Sequence, residues 1–122
     1  MITVAQNASG PENWRCNARA EIMSVIKEKS QITYQALATA AQMTGPFKIH
    51  RLTLWLEEMM AEDHCCGRPF RAAVVVSKAR NGLPSPGFFE KADQLGLRFK
   101  KGGRARQYQA YLQTVYASSW NI

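Results

Sequence analysis

The side chains best suited to chemistry in this sequence are basic, and they fall into two sets. The first set is Lys48, His50 and Arg51, which share one stretch of helical periodicity. Ammonium and guanidinium groups contact phosphate oxygens, and from the outer face of a helix they also reach base edges. The second set lies in the second half of the chain and consists of Lys78, Arg80, Lys100, Lys101, Arg104 and Arg106. Both sets predict a nucleic-acid site, and the alternative for each is a solvated surface without a ligand.

The distribution of charge favours a polyanionic partner for the second set. The chain has 122 residues and a net charge of +7. Residues 1–63 contain six Lys/Arg and seven Asp/Glu, whereas residues 64–122 contain ten Lys/Arg and two Asp/Glu. Each phosphate that a cation neutralises releases condensed counterions, which stabilises a complex with nucleic acid. An acidic protein surface would satisfy the same charges, so charge alone leaves both partners open.

His64, Cys65 and Cys66 are the residues that suggest a metal site. A zinc site needs about four ligands. The other candidates, Cys16 and His50, stand alone, and there is no Cys-x-x-Cys pair. The sequence also has no Ser-His-Asp order, no Walker loop and no Gly-x-Gly-x-x-Gly motif between a strand and a helix. We therefore expect no metal, no cofactor and no catalytic activity.

Cysteine usage and hydropathy predict the compartment. The three cysteines are an odd number and two of them are adjacent, which does not make a disulfide framework. The longest uninterrupted apolar run, Ala72–Val76, is far too short to span a membrane. The first residues show no basic stretch followed by an apolar one. These features predict a cytoplasmic protein with reduced thiols and no membrane partner.

Hydrophobic periodicity predicts three helices in the first half of the chain. The first covers roughly residues 11–29. Thr33 is a suitable N-cap for a short second helix over Tyr34–Gln42. That helix ends before Gly45-Pro46, and Pro46 can occupy the first turn of a third helix, which runs to about Asp63. A short connection that contains glycine is typical of a helix-turn-helix, in which the second helix of the pair enters the major groove of DNA.

The pattern changes after the third helix. Residues Phe70–Ser77 are mostly apolar and β-branched, which predicts a strand, and Asn81-Gly82 is typical of a hairpin turn. A fourth helix begins near Pro86, and a flexible basic loop over Lys100–Arg106 precedes a last helix. These elements predict one α+β domain over residues 1–122, a helix-rich winged helix-turn-helix with a short β-hairpin wing and extra C-terminal helices.

The last helix is rich in aromatic residues. Aromatic side chains at helical spacing usually pack in a core. They are also enriched at protein interfaces, so a homodimer or a protein partner is the alternative interpretation of this face. The residues concerned are Tyr108, Tyr111, Tyr116 and Trp120.

The stretch from Ile32 to about Gly82 resembles the DNA-binding half of alkylguanine-DNA alkyltransferases and alkyltransferase-like proteins. Thr33-Tyr34-Gln35 corresponds to the family's Thr/Ser-Tyr-Gly, which opens the first helix of its helix-turn-helix. Lys48-Ile49-His50-Arg51 has the spacing of the family's Lys-Ala-Ala-Arg. The resemblance implies that Arg51 enters the base stack where a nucleotide has flipped out. It also implies that Tyr34 lies beside the displaced phosphate.

The catalytic part of the family is missing from this sequence. Val75-Val76-Ser77-Lys78 stands where the family has Pro-Cys-His-Arg, which contains the reactive cysteine. Neither a thiolate nor the histidine that activates it is present there. The resemblance therefore implies a protein that binds DNA, or senses a lesion in it, without transferring an alkyl group.

Two functional hypotheses follow from the sequence. The first is a non-catalytic protein that binds nucleic acid, with duplex DNA as the expected form, through a recognition helix and a basic loop. The second is a protein-interaction module or inhibitor of phage or mobile-element origin that uses a winged helix as its scaffold. Steep loss of binding with salt is expected of the first and not of a hydrophobic protein partner.

Overall fold

A computed structural model describes residues 13–80, 82–100, 102–118 and 120. Its regular elements are mostly α-helical, with one small sheet, so the fold is helix-rich α+β. In chain order these elements are α1 (Asn13–Lys27), β1 (Ile32–Thr33), α2 (Tyr34–Ala40), α3 (Lys48–Cys65), β2 (Val75–Val76), α4 (Pro86–Gln94) and α5 (Arg104–Ala117). The three helices expected in the first half of the chain are confirmed, with ends within a few residues of the expected positions.

Local signals account for where two of the helices begin. The Thr33 hydroxyl accepts a hydrogen bond of 3.1 Å from the Ala36 amide, which caps α2 as its sequence predicts. Pro86 occupies the first turn of α4. Amides there have no acceptor within the helix, so the lack of an N–H in proline costs no hydrogen bond. The N-termini of α2 and α4 lie close together, because the hydroxyl of Tyr34, the first residue of α2, contacts Ser85, the N-cap of α4.

The β-hairpin wing expected after α3 is not formed by the described residues. β2 has only two residues and pairs in parallel with β1, with Ile32 opposite Val75 and Thr33 opposite Val76. The rest of the expected strand turns into a 3-10 helix over Arg71–Val74. A second 3-10 helix follows β2 instead of a returning strand. Asn81, part of the expected turn, lies outside the described residues.

A buried ion pair explains why the chain turns before β2. Asp63 and Arg71 are both completely buried. The Asp63 carboxylate accepts hydrogen bonds from the Arg71 amide at 2.9 Å and from Arg71 Nε at 3.0 Å. Arg68 Nε donates to the same carboxylate at 2.7 Å. The carboxylate at the end of α3 therefore fixes both the backbone and the side chain of Arg71, and it bends the segment away from extended geometry.

The expected flexible loop over Lys100–Arg106 is also partly wrong, because α5 already begins at Arg104. Gly103 adopts the left-handed conformation (φ 95°) immediately before the helix, which glycine tolerates without steric cost. The Lys100 amide donates to the Gln107 side chain at 2.8 Å, which ties the preceding segment to the helix. Lys101 lies outside the described residues.

The described helices share one apolar core. Two edge-to-face contacts illustrate it: Trp14 on α1 meets Trp55 on α3 with ring centroids 5.6 Å apart, and Phe89 on α4 meets Tyr108 on α5 at 6.3 Å. Such contacts hold α1 against α3 and α4 against the start of α5. Among the described helices, none combines the length and apolar character that crossing a membrane requires.

Candidate nucleic-acid interface

The first half of α3 presents an exposed basic surface. Lys48 and His50 are both exposed, and the first turn of the helix contains no acidic residue. The N-cap residue, Phe47, makes no capping hydrogen bond through its side chain. The acidic residues of α3 begin at Glu57, in its second half. Only the N-terminal half of α3 is therefore suited to approach a polyanion.

Arg51 is not extended from this surface as the sequence suggests. Its Nε donates to the Pro46 carbonyl at 3.1 Å, and its Nη2 donates to the Thr44 carbonyl. The guanidinium thus folds back onto the connection between α2 and α3 and donates to carbonyls of that loop. In this structure Arg51 is half-buried and holds the turn of the helix pair, rather than standing free to enter a base stack.

Tyr34 is likewise engaged inside the protein. Its side chain is only 9% exposed, and its hydroxyl accepts from the Ser85 amide at 3.0 Å. The same hydroxyl donates to the Ser85 hydroxyl at 3.2 Å. Tyr34 therefore joins α2 to the start of α4. The phosphate contact that the resemblance implies for this residue would need these two hydrogen bonds to be exchanged.

Among its described residues, the second basic set contains three exposed cations, Lys78, Lys100 and Arg106, and two half-buried ones, Arg80 and Arg104. Of the half-buried pair, Arg104 packs its guanidinium 4.6 Å from the centre of the Phe89 ring and donates to the Phe99 carbonyl at 3.3 Å. The Nε atoms of Arg80 and Arg104 are buried without a hydrogen-bond partner among the described residues. The three exposed cations, which we call the basic cluster, are the ones that are available to a ligand.

Gln31 connects the two segments that carry the basic cluster. Its side-chain amide donates to the Gly82 carbonyl at 3.1 Å and to the Tyr108 hydroxyl at 2.9 Å. Gly82 follows the 3-10 helix that contains Lys78, and Tyr108 lies one turn after Arg104 on α5. The segment after β2 and the first turns of α5 are therefore held side by side. The hydrogen bonds of α3's first turn run instead to the loop that precedes it.

Lys48 and the basic cluster have no carboxylate partners among the described residues. The ion pairs among the described residues use Arg19, Arg68, Arg71 and Arg98. Within this part of the chain, no carboxylate forms an ion pair with Lys48 or any member of the basic cluster. Their charges are accordingly left for solvent or for a ligand. This uncompensated positive charge is the main chemical property of the surface.

The aromatic residues of α5 mostly support the fold. The Tyr108 hydroxyl is buried and donates to the Ala73 carbonyl at 2.6 Å. Burial raises the pKa of Tyr108 far above its usual value, against a smaller lowering effect of the hydrogen bond from Gln31. Burial also raises the pKa of Tyr111 to about 12, although its hydroxyl accepts from the Phe70 amide at 2.7 Å. Both tyrosines are neutral hydrogen-bonding groups of the core at physiological pH.

The end of α5 borders a groove that the sequence does not predict. Its volume is about 790 Å³, and Tyr116 and Trp120 form one side of it while α1 forms the other. Cys16 and Met23 belong to the α1 side. The Tyr116 hydroxyl donates to the Ser30 carbonyl at 2.8 Å, and Trp120 Nε1 donates to the Val115 carbonyl at 3.0 Å. The polar atoms of both rings therefore have partners within the chain.

Sequence reasoning also missed Phe47. This ring is 76% exposed, and its backbone is in the left-handed conformation (φ 58°). The other large exposed apolar side chain among the described residues is Leu54, at 48%. The available signal was an aromatic residue directly after Gly45-Pro46, a turn sequence in which a large side chain has little core to join.

The described residues contain no group of three or more His, Cys, Asp or Glu side chains placed to share a metal ion. Cys16, Cys65 and Cys66 are exposed free thiols.

Comparisons with protein-family models, with curated proteins and with solved structures each give no match to this chain.

Proposed function

We propose that this protein binds nucleic acid, with duplex DNA among its ligands, and that it does not catalyse a reaction. The observation that carries the proposal is the uncompensated charge of the interface. Lys48, Lys78, Lys100 and Arg106 are exposed and have no carboxylate partner among the described residues. Cations of this kind gain free energy from phosphate through counterion release, without first breaking an ion pair.

In this proposal α2 and α3 form the helix-turn-helix of a winged-helix domain. The N-terminal half of α3 approaches the groove, where Lys48 and His50 reach base edges or phosphates, and Glu57 and Glu58 keep its second half away. The segment after β2 occupies the place of a wing, although it is a 3-10 helix rather than a hairpin. The basic cluster contacts phosphates, which positions the protein without reading sequence.

The resemblance to alkyltransferase-like proteins belongs to the same proposal. Val76 and Ser77 stand at the place of the family's nucleophile, and Val76 is 5% exposed within the small sheet. A buried aliphatic side chain cannot accept an alkyl group. The proposed protein therefore recognises nucleic acid and leaves it chemically unchanged.

The direct test compares two double variants with equal loss of charge. Lys100→Ala/Arg106→Ala removes two members of the basic cluster. Arg15→Ala/Lys27→Ala removes two exposed cations of α1, on another element. We expect the first variant to bind a duplex more weakly and to flatten the slope of log affinity against log salt concentration by up to about 1.8, which is about 0.9 for each phosphate contact.

The control variant is expected to keep nearly the slope of the wild-type protein. If the two variants lose affinity and salt slope equally, general positive charge explains the binding, and the basic cluster is not the site. If both bind a duplex as tightly as the wild-type protein, with an unchanged salt slope, the proposal is wrong for this surface.

A protein-interaction module is the second candidate function, and two observations favour it. Phe47 and Leu54 expose apolar surface on α3, and the groove beside Trp120 is large enough for a side chain of a partner. Binding through these surfaces would depend weakly on salt, because it would bury apolar area and release few counterions. The same salt titration therefore separates the two functions.

A further inference from the structure

Phe47 is a large apolar residue that the core of the protein does not bury. Its ring is 76% exposed, so it gains little from burial. Its backbone has φ 58° and ψ 39°, a conformation in which the Cβ atom of an L-residue crowds its own backbone. Strained residues of this kind persist where the surrounding structure determines them, and they are concentrated at functional sites.

The surrounding structure does hold Phe47 in place. The Arg51 amide donates to the Phe47 carbonyl at 2.9 Å, which begins the hydrogen bonding of α3. The Arg51 guanidinium donates to the carbonyls of Thr44 and Pro46, which precede Phe47 in the loop. Arg51 thus fixes the loop before Phe47 through its side chain and the Phe47 carbonyl through its backbone amide. A ring held outward by a fixed backbone loses little conformational freedom when a ligand covers it.

The neighbours of Phe47 determine which ligand fits. Lys48 follows it, and His50 lies on the next turn of the same exposed face. Leu54 is seven residues along α3, about 10 Å at 1.5 Å for each residue, and the polar residues His50 and Arg51 separate the two apolar side chains. The ring is therefore isolated among cationic and polar groups, whereas a surface that docks a protein is usually a continuous apolar patch.

We propose that Phe47 stacks on an unpaired base, so that the preferred ligand is nucleic acid with an exposed base face, either a single strand or an unpaired nucleotide in a duplex. Base faces are apolar and carry phosphates close by, which matches an aromatic ring beside a lysine. This inference rests on the proposed function. It adds a preference that contacts with phosphate alone do not give, because phosphates are present in every nucleic acid.

The experiment measures equilibrium binding of the full chain to three DNA probes that share one sequence. The probes are a 20-base-pair duplex, the same duplex with one additional unpaired base, and the single strand. The variants are Phe47→Leu, which keeps an apolar side chain but has no aromatic face, and Phe47→Trp, which keeps one. Both replacements have a Cβ atom, so the cost of the left-handed backbone stays the same, and the exposed site contributes little burial. Urea unfolding is therefore expected to give the wild-type midpoint for each variant.

We expect the wild-type protein to bind the two probes that contain an unpaired base more tightly than the duplex. Phe47→Leu is expected to lose about 5- to 100-fold in affinity for those two probes and to bind the duplex nearly unchanged, since stacking on one base contributes this range. Phe47→Trp is expected to keep the preference, because its ring also stacks.

Three results would overturn the inference while leaving the proposed function intact. They are a Phe47→Leu variant with the wild-type preference, an equal loss on all three probes, and an equal loss for Leu and Trp. If the wild-type protein binds none of the probes at low salt, the proposed function itself is wrong. The apolar exposure of Phe47 then belongs to a protein interface.

Discussion

Replacing Asp63 with asparagine removes the charge on which the end of α3 depends. Asp63→Asn keeps the size of the side chain but leaves the Arg71 guanidinium fully buried without its anion. Arg71 Nη2 lies 2.8 Å from Asp63 Oδ1, a close ion pair that is not aligned as a hydrogen bond, and Nη1 has no hydrogen-bond partner among the described residues. The other carboxylate nearby is that of Glu62, at 3.7 Å, and its side chain is 47% exposed.

The expected loss follows from this geometry. Removing one member of a buried ion pair costs about 3–5 kcal/mol, because the remaining charge stays buried without compensation. Arg68 adds little to this loss, since its side chain is 26% exposed and can turn toward water. A domain of this size has a free energy of unfolding of about 5–15 kcal/mol, so the variant still folds but loses a large share of its stability.

Urea unfolding followed by circular dichroism measures the effect. With a urea dependence of about 1.5 kcal/mol/M, the midpoint is expected to fall by roughly 2–3 M. The matched control is Asp93→Asn, which breaks the exposed pair with Arg98, 2.8 Å apart, and is expected to change stability by less than about 0.5 kcal/mol. A loss below about 1 kcal/mol for Asp63→Asn would contradict this expectation, because the buried charge of Arg71 would then have another source of compensation.

Arg51→Ala is expected to lower stability by about 1–2 kcal/mol in urea unfolding, because two loop carbonyls lose their donor; an unchanged midpoint would mean that this side chain is free to reach a base. Since the pKa of Tyr111 is about 12 when folded and about 10 when unfolded, its contribution to stability is full below pH 10 and is lost as the pH rises toward 12. Tyr111→Phe is expected to make that alkaline fall shallower in unfolding measured at several pH values, and an unaltered fall would contradict this. Incubation with DNA that contains an alkylated guanine is expected to leave the intact mass of the protein unchanged, whereas a stoichiometric alkyl adduct on a cysteine would show that a thiol substitutes for the missing nucleophile.

The helices were predictable because their signals are local. Thr33 caps α2 through an amide three residues away, and Pro86 begins α4 by its own ring geometry. In α3 and the segment that follows it, Leu52, Phe70 and Val74 belong to the apolar pattern of the sequence and are buried. Periodicity identifies such residues because it requires no knowledge of what lies on the other side.

The sheet was not predictable in the same way. Val75 and Val76 have the composition of a strand, but their partners are Ile32 and Thr33, more than forty residues earlier in the chain. Composition predicts a strand without naming its neighbour. The bend before β2 depends on Asp63 accepting from a residue eight positions later, a spacing that belongs to no regular element.

The candidate site was predicted by residue type and only partly by position. Lys48, Lys78 and Arg106 are exposed, as a phosphate-binding role requires. Arg51 and Tyr34 are engaged with carbonyls and with Ser85, because a long polar side chain beside an open turn satisfies whichever backbone groups lack partners. The hydrophobic pattern of a sequence predicts which face of a helix is buried. It contains no information on side-chain hydrogen bonds such as these.

The most direct test of the central claim is a salt titration of the wild-type protein on duplex DNA. If Lys48 and the three members of the basic cluster each contact one phosphate, the slope of log affinity against log salt concentration is about −3.6. We expect a slope close to that value and weak retention at high salt. Binding that is absent at low salt, or an affinity that does not change with salt, would contradict it.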